Sequence, residues 1–178
     1  MKSILLATAL ALTTIHAEDT IWHVKAVHPE GRLLDVKAIG KDGKIHPVKA
    51  IQSGGNVHLL DIKALVGDAK LPVKILPGDA GKQPVKAIGE DGTIFDIKAI
   101  TPDGAKLDIK AVEASGTIIN IKALGADGVK YGVKAVSPTG QLYDIKGIKL
   151  GSEKVEGKVN GVEFAAHIKA LPQATAGK

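Results

Sequence analysis

Apolar and polar positions along this chain repeat with a period of twelve, and the segment from Phe95 to Leu124, "FDIKAITPDGAKLDIKAVEASGTIINIKAL", carries three copies. Each copy runs Val or Ile, Lys, Ala, then another aliphatic residue, and ends in a stretch of Gly, Asp and Pro. The lysines that hold this phase are Lys25, Lys37, Lys49, Lys63, Lys74, Lys86, Lys98, Lys110, Lys122, Lys134, Lys146, Lys158 and Lys169. Their spacings are 12, 12, 14, 11, seven of 12, and 11. The unit around Lys158 is degenerate, with Gly157 in the Val/Ile column and Val159 in the Ala column.

β-Branched residues that alternate with polar ones between Gly-rich turns predict strands, and no window carries the 3.6-residue period of a helix. "TPDGA" fits a three-residue hairpin loop that closes on Thr101 and Ala105, with Gly in the left-handed region. That register sets Lys98 opposite Asp108, Ala99 opposite Leu107 and Ile97 opposite Ile109, and it sets Lys86 opposite Asp96. Lysine and aspartate then share one face while Val, Ile and Ala share the other. Nine-residue strands with odd loops cannot satisfy both neighbours by strict alternation, so one residue per strand must go unpaired. The column two before the lysine, which holds Asp, Pro, Asn, Gly or His, is the expected place.

The predicted fold is therefore all-β, an antiparallel meander of hairpin repeats packed on itself, over residues 18–171. A narrow β-solenoid is the alternative, disfavoured because it stacks Lys on Lys about 4.8 Å apart. A simple barrel of thirteen strands would leave a lumen that Val and Ala cannot fill. The first and last full units, "WHVKAVHP" and "AHIKALP", both carry His two before the lysine. They read either as atypical caps or as ends that meet.

Composition adds location. Residues 1–17 join Lys2 to the apolar run "ILLATALALTTI" and end in "IHA", the pattern of a signal peptide. An exported chain with a short tail at 172–178 is the expectation: periplasmic, on the cell surface or extracellular. No other stretch is long and apolar enough for a membrane span. Cysteine is absent, which excludes disulfides and thiolate metal sites. The net charge is +5, and all basic side chains but Arg32 are lysines. Bidentate phosphate recognition favours arginine, so nucleic acid is not expected as a partner.

The candidate chemistry is sparse. The lysine column reads first as a charge-paired outer face. Its functional reading is an amine array for an anionic polysaccharide or surface, with Lys49, Lys74 and Lys86, in units that have Pro for Asp, as the best local patch. His23, His28 and His167 become a zinc or copper site if the ends meet. Lys110 opposite Asn120 is the one pair that suggests an isopeptide link. No GxSxG turn, phosphate-binding glycine loop or calcium loop is present. No enzyme and no cofactor are expected. Open sheet edges would favour self-assembly.

The dodecads "DVKAIGKDG" and "DIKAITPDG" resemble those of an uncharacterised group of exported bacterial proteins built from tandem [VI]-K-A-[IVL] repeats. The resemblance implies export and no particular activity. The resulting expectation is a non-enzymatic structural, scaffolding or adhesive protein, with glycan binding second and metal binding third.

Overall fold

The structure is a computed structural model that describes residues 20–52, 58–79 and 81–173. The expected leader lies outside these residues, as does most of the expected tail. All fourteen elements are strands: β1 (Thr20–Val27), β2 (Leu33–Ile39), β3 (Ile45–Gln52), β4 (Leu60–Val66), β5 (Ala69–Ile75), β6 (Gln83–Ile88), β7 (Ile94–Ile100), β8 (Lys106–Ser115), β9 (Ile118–Leu124), β10 (Lys130–Val136), β11 (Leu142–Ile148), β12 (Gly157–Val159), β13 (Val162–Phe164) and β14 (Ala166–Pro172). Twelve form one antiparallel sheet, and β12 and β13 form a separate hairpin. The degenerate Lys158 unit is that hairpin, which lies between β11 and β14. Every pairing is antiparallel, which excludes the solenoid.

The expected hairpin loop forms. Thr101 N donates to Ala105 O at 2.9 Å and Gly104 N to Thr101 O at 2.9 Å. Gly104 has φ +86°, a conformation that a side chain resists. The loops at 28–32, 40–44, 89–93, 125–129 and 137–141 repeat both bonds. Lys98–Asp108, Ala99–Leu107 and Lys86–Asp96 all pair as expected. Ile97 and Ile109 do not, because the ladder stops after Lys98–Asp108.

That stop is general. β1 pairs with β3 through Thr20–His23 and with β2 through Lys25–Val27, and Val24 is skipped. β2 likewise skips Val36 and β3 skips Val48, so the three strands form a pinwheel in which each leads into the next. One unpaired residue per strand was required; it is the Val or Ile before the lysine, one place later than expected. Three further pinwheels are β4–β5–β14, β6–β7–β8 and β9–β10–β11.

On its other side each strand pairs with a strand of a different pinwheel. The six joints are β1–β10, β2–β7, β3–β4, β5–β6, β8–β9 and β11–β14. Each joint has a lysine facing a lysine at its centre: Lys25–Lys134, Lys37–Lys98, Lys49–Lys63, Lys74–Lys86, Lys110–Lys122 and Lys146–Lys169. Four pinwheels with every pair joined once are the four corners and six edges of a tetrahedron. None of the twelve strands is left at a sheet edge, so the expected edge-to-edge assembly has no edge here to act on. β1 and β14 do not pair; β14 instead completes the pinwheel of β4 and β5. Among the described residues no helix is long and apolar enough to cross a membrane.

The skipped residues converge. Val24, Val36, Val48, Ile62, Val73, Val85, Ile97, Ile109, Ile121, Val133, Ile145 and Ile168 line one central void of about 10 Å³. That is at or below the room one water needs, and the lining offers no polar partner, so the centre is dry. The residues after the lysines fill the next positions, most of them Ala with no exposed surface. The two exceptions compensate. Ile75 occupies this column in β5, and Gly147 occupies it in β11. A Cβ on Gly147 would overlap the δ-methyl of Ile75 and come within 3.0 Å of Ile119 Cβ.

Gly147→Ala should therefore destabilise the fold by about 1–3 kcal/mol, the usual cost of overpacking. In an Ile75→Ala background, which restores Ala to both positions, the same change should cost at least about 1 kcal/mol less. Urea unfolding of the four chains measures this coupling, and additive losses would contradict the assigned contact.

Candidate functional site

Because the period of a strand is two, burying the Val/Ile and Ala columns turns the lysine between them outward. Each lysine meets the side chain two before the lysine of the next strand in its pinwheel. Lys25 is paired with Asp35, Lys86 with Asp96, Lys98 with Asp108, Lys134 with Asp144 and Lys169 with Asp61. Lys146 donates to Asn120 Oδ1 at 2.6 Å, Lys49 meets His23 Nδ1 at 2.9 Å, and Lys74 meets His167 Nδ1 at 2.7 Å. Asn120 thus belongs to Lys146, while Lys110 faces Lys122, so the pair expected for an isopeptide link is not formed.

The remaining partners carry no hydrogen-bonding side chain: Lys37 faces Pro47, Lys63 faces Pro72, Lys110 faces Pro84 and Lys122 faces Gly132. Lys37 recovers a carboxylate at 3.7 Å in Asp35. Among the described residues, two whole dyads, Lys49–Lys63 and Lys110–Lys122, have no carboxylate bonded to either amine. Like charges directly opposite across a ladder repel, so these dyads are where an external anion has most to offer.

Sequence reasoning chose Lys49, Lys74 and Lys86. Lys49 is kept. Lys86 is corrected, because it holds Asp96. The error was one of direction: a proline deprives the lysine of the preceding strand in its pinwheel, not the lysine of its own unit. That rule, applied to the hairpins, would have found Lys37 and Lys63. The β9–β10 hairpin, where Gly132 stands in that column, would have found Lys122 too, whereas Lys110 needs the β6–β8 pairing that sets it opposite Pro84.

The charges respond to this crowding. Burial and then Lys37 and Lys25 lower the Lys49 ammonium below the ordinary lysine value. Burial and then Lys146 and Lys134 do the same to Lys122. Lys74 falls furthest, to about 8, through burial and then Lys169 and Lys63. Lys49, followed by burial, lowers His23 below the usual imidazole range. Burial, followed by Lys74, lowers His167. Hydrogen bonds from their lysines hold Asp35, Asp96 and Asp108 below the usual carboxylate range.

The three histidines expected to gather at a metal are apart. His23 sits against Lys49, and His167 against Lys74. His28 is buried edge-on to Tyr131, and its Nδ1 accepts from Glu30 N at 3.1 Å. Among the described residues no group of three or more His, Asp or Glu side chains is arranged to hold a metal ion.

Acidification should weaken the fold. His23 and His167 have lowered values, so their contribution is present above the unfolded value near 6.5 and is lost as pH falls through the folded ones. The urea midpoint should drop between pH 7 and pH 5, and His23→Gln with His167→Gln should flatten that drop. An unchanged slope in the double variant would count against the two lysine–imidazole contacts.

The chain belongs to a family of unknown function, DUF7486, whose model matches residues 18–171. No curated protein and no solved structure matches it.

Proposed function

We propose that this member of the family is a non-enzymatic, exported scaffold that adheres to an anionic polysaccharide through its uncompensated lysine dyads. The observation that carries the reading is the pair of dyads, Lys49–Lys63 and Lys110–Lys122, in which neither amine is bonded to a carboxylate. An acid group of the polymer supplies the missing counter-charge, as Asp35 and Asp144 do internally for Lys25–Lys134. Each exposed contact contributes only about 0.2–1 kcal/mol, so a small anion would be held weakly. The two dyads lie at the β3–β4 and β8–β9 joints, opposite edges of the tetrahedron, so a polymer adds their contacts only by wrapping around the molecule. A ligand read through lysine point charges is selected by charge density and spacing rather than by planar bidentate geometry.

A purely structural role is the second reading. It is favoured by Lys25, Lys86, Lys98, Lys134 and Lys169, all of which are neutralised within the molecule.

The test is binding to immobilised alginate and heparin at low ionic strength. Affinity should fall steeply between 20 mM and 300 mM salt, since exposed charges are screened over about one Debye length. Lys63→Ala and Lys122→Ala should each weaken binding about 1.5- to 5-fold. Asp61→Asn, which removes a carboxylate beside Lys63, should strengthen it. Absence of binding at low salt, or no response to these three substitutions, would favour the structural role.

A further inference from the structure

The β4–β5–β14 pinwheel differs from the other three because the segment between β11 and β14 lies against it. Ala165 N donates to Ile75 O at 2.7 Å, and Glu156 N donates to Phe164 O at 2.9 Å, which fixes the β12–β13 hairpin beside β5. Two side chains foreign to the repeat arrive with it. The Phe164 ring centroid lies 4.9 Å from Lys74 Nζ and 4.9 Å from the ring of His167. The Glu156 carboxylate is buried, with a side chain only 5% exposed, and stands on the far side of the imidazole. Its Oε1 accepts from the backbone N–H groups of Leu150 and Gly151. Its Oε2 has no hydrogen-bond partner and lies 3.8 Å from His167 Nε2.

The three groups form a chain: Glu156 Oε2, then His167 Nε2 and Nδ1, then Lys74 Nζ at 2.7 Å. A carboxylate facing Nε2 favours the tautomer with its proton there, which leaves Nδ1 to accept from the lysine. This is a nucleophile, a base within hydrogen-bond reach, and a third group that orients the base. The other charges around Lys74 are Lys63, Lys169 and Asp61, with Lys86 opposite it across the joint and held by Asp96. Lys169 is held by Asp61, and Lys63 faces Pro72.

We propose that Lys74 is a reactive amine that captures a small aldehyde bearing an anionic group, with His167 as its base and Glu156 as the positioning residue. His167 Nδ1 takes a proton from the ammonium, and the freed amine bonds the carbonyl carbon. The carbonyl π electrons move to oxygen, which takes a proton from the imidazolium, while nitrogen returns one to the imidazole. The imidazolium then protonates the hydroxyl, which leaves as water. Ammonium plus aldehyde thus give protonated imine plus water, with charge conserved. Lys63 supplies the counter-charge for the anionic group. The depressed Lys74 value supports this chemistry, since a lysine near 8 has roughly two orders of magnitude more free amine at pH 7 than one near 10.4. It is a site of covalent capture and does not rest on the polysaccharide reading.

The experiment treats the intact chain with glyoxylate and cyanoborohydride at pH 7 and maps carboxymethylated lysines by mass spectrometry. The hydride from cyanoborohydride reduces the imine to a stable secondary amine. Lys74 should be labelled at least about tenfold faster than Lys63 or Lys110, allowing for its partial burial. Glyoxylate should label it several-fold faster than neutral glycolaldehyde. Glu156→Gln should lower the Lys74 rate and leave the other lysines unchanged. Labelling spread evenly over the lysines would overturn the proposal in the wild-type chain alone, even if the variant failed to fold. Equal rates with the two aldehydes would overturn the anionic preference, and an unchanged rate in a folded Glu156→Gln chain would overturn the role of Glu156.

Discussion

The constraint on which the rest depends is that twelve side chains, one from each long strand, must meet at a single dry point. Only an aliphatic residue of middling size suits that place, and every strand of the twelve supplies Val or Ile. The residue that reaches the centre is also the one at which the strand changes partner. It gives up ladder pairing on one side, and burial of its aliphatic side chain offsets that loss. The flanking Ala column follows, because larger residues beside a filled centre have nowhere to go. Ile75 and Gly147 are the case that tests the rule: a residue too large in one strand is met by one too small in another.

From that centre the surface is determined. A buried residue on each side of the lysine forces the lysine outward, and antiparallel pairing about the joints forces lysines to meet in twos. The arrangement would be self-defeating if all twelve amines were bare. Carboxylates two residues before the lysine relieve most joints, so the aspartate column is as structural as the lysine column. The chemistry of interest lies where that relief is absent. At Lys49–Lys63 and Lys110–Lys122 it is missing, and at Lys74 an imidazole, a phenyl ring and a buried carboxylate take its place.

How much of this was legible in the sequence depended on the range of each interaction. The strand period, the loop "TPDGA" and the pairs Lys98–Asp108 and Lys86–Asp96 are local, and the residues themselves specify them. The need for one unpaired residue per strand was also legible, since it follows from counting. Its location was not, because a change of partner at Ile97 and a bulge at Asp96 look alike in one strand. The joints were illegible for a different reason. Twelve nearly identical strands give no hint that β2 should choose β7 or that β1 should choose β10. The site around Lys74 was hidden for another reason: Glu156 and Phe164 come from the degenerate segment around Lys158, where no repeat predicts what they will meet.

The central claim is that lysines remote in sequence face one another at the joints, and cross-linking with a short amine-reactive reagent, mapped by mass spectrometry, tests it most directly. The tetrahedral arrangement predicts links Lys25–Lys134 and Lys37–Lys98 alongside links within each pinwheel, such as Lys25–Lys49. Links confined to lysines of successive units, with Lys25–Lys134 and Lys37–Lys98 both missing, would contradict it.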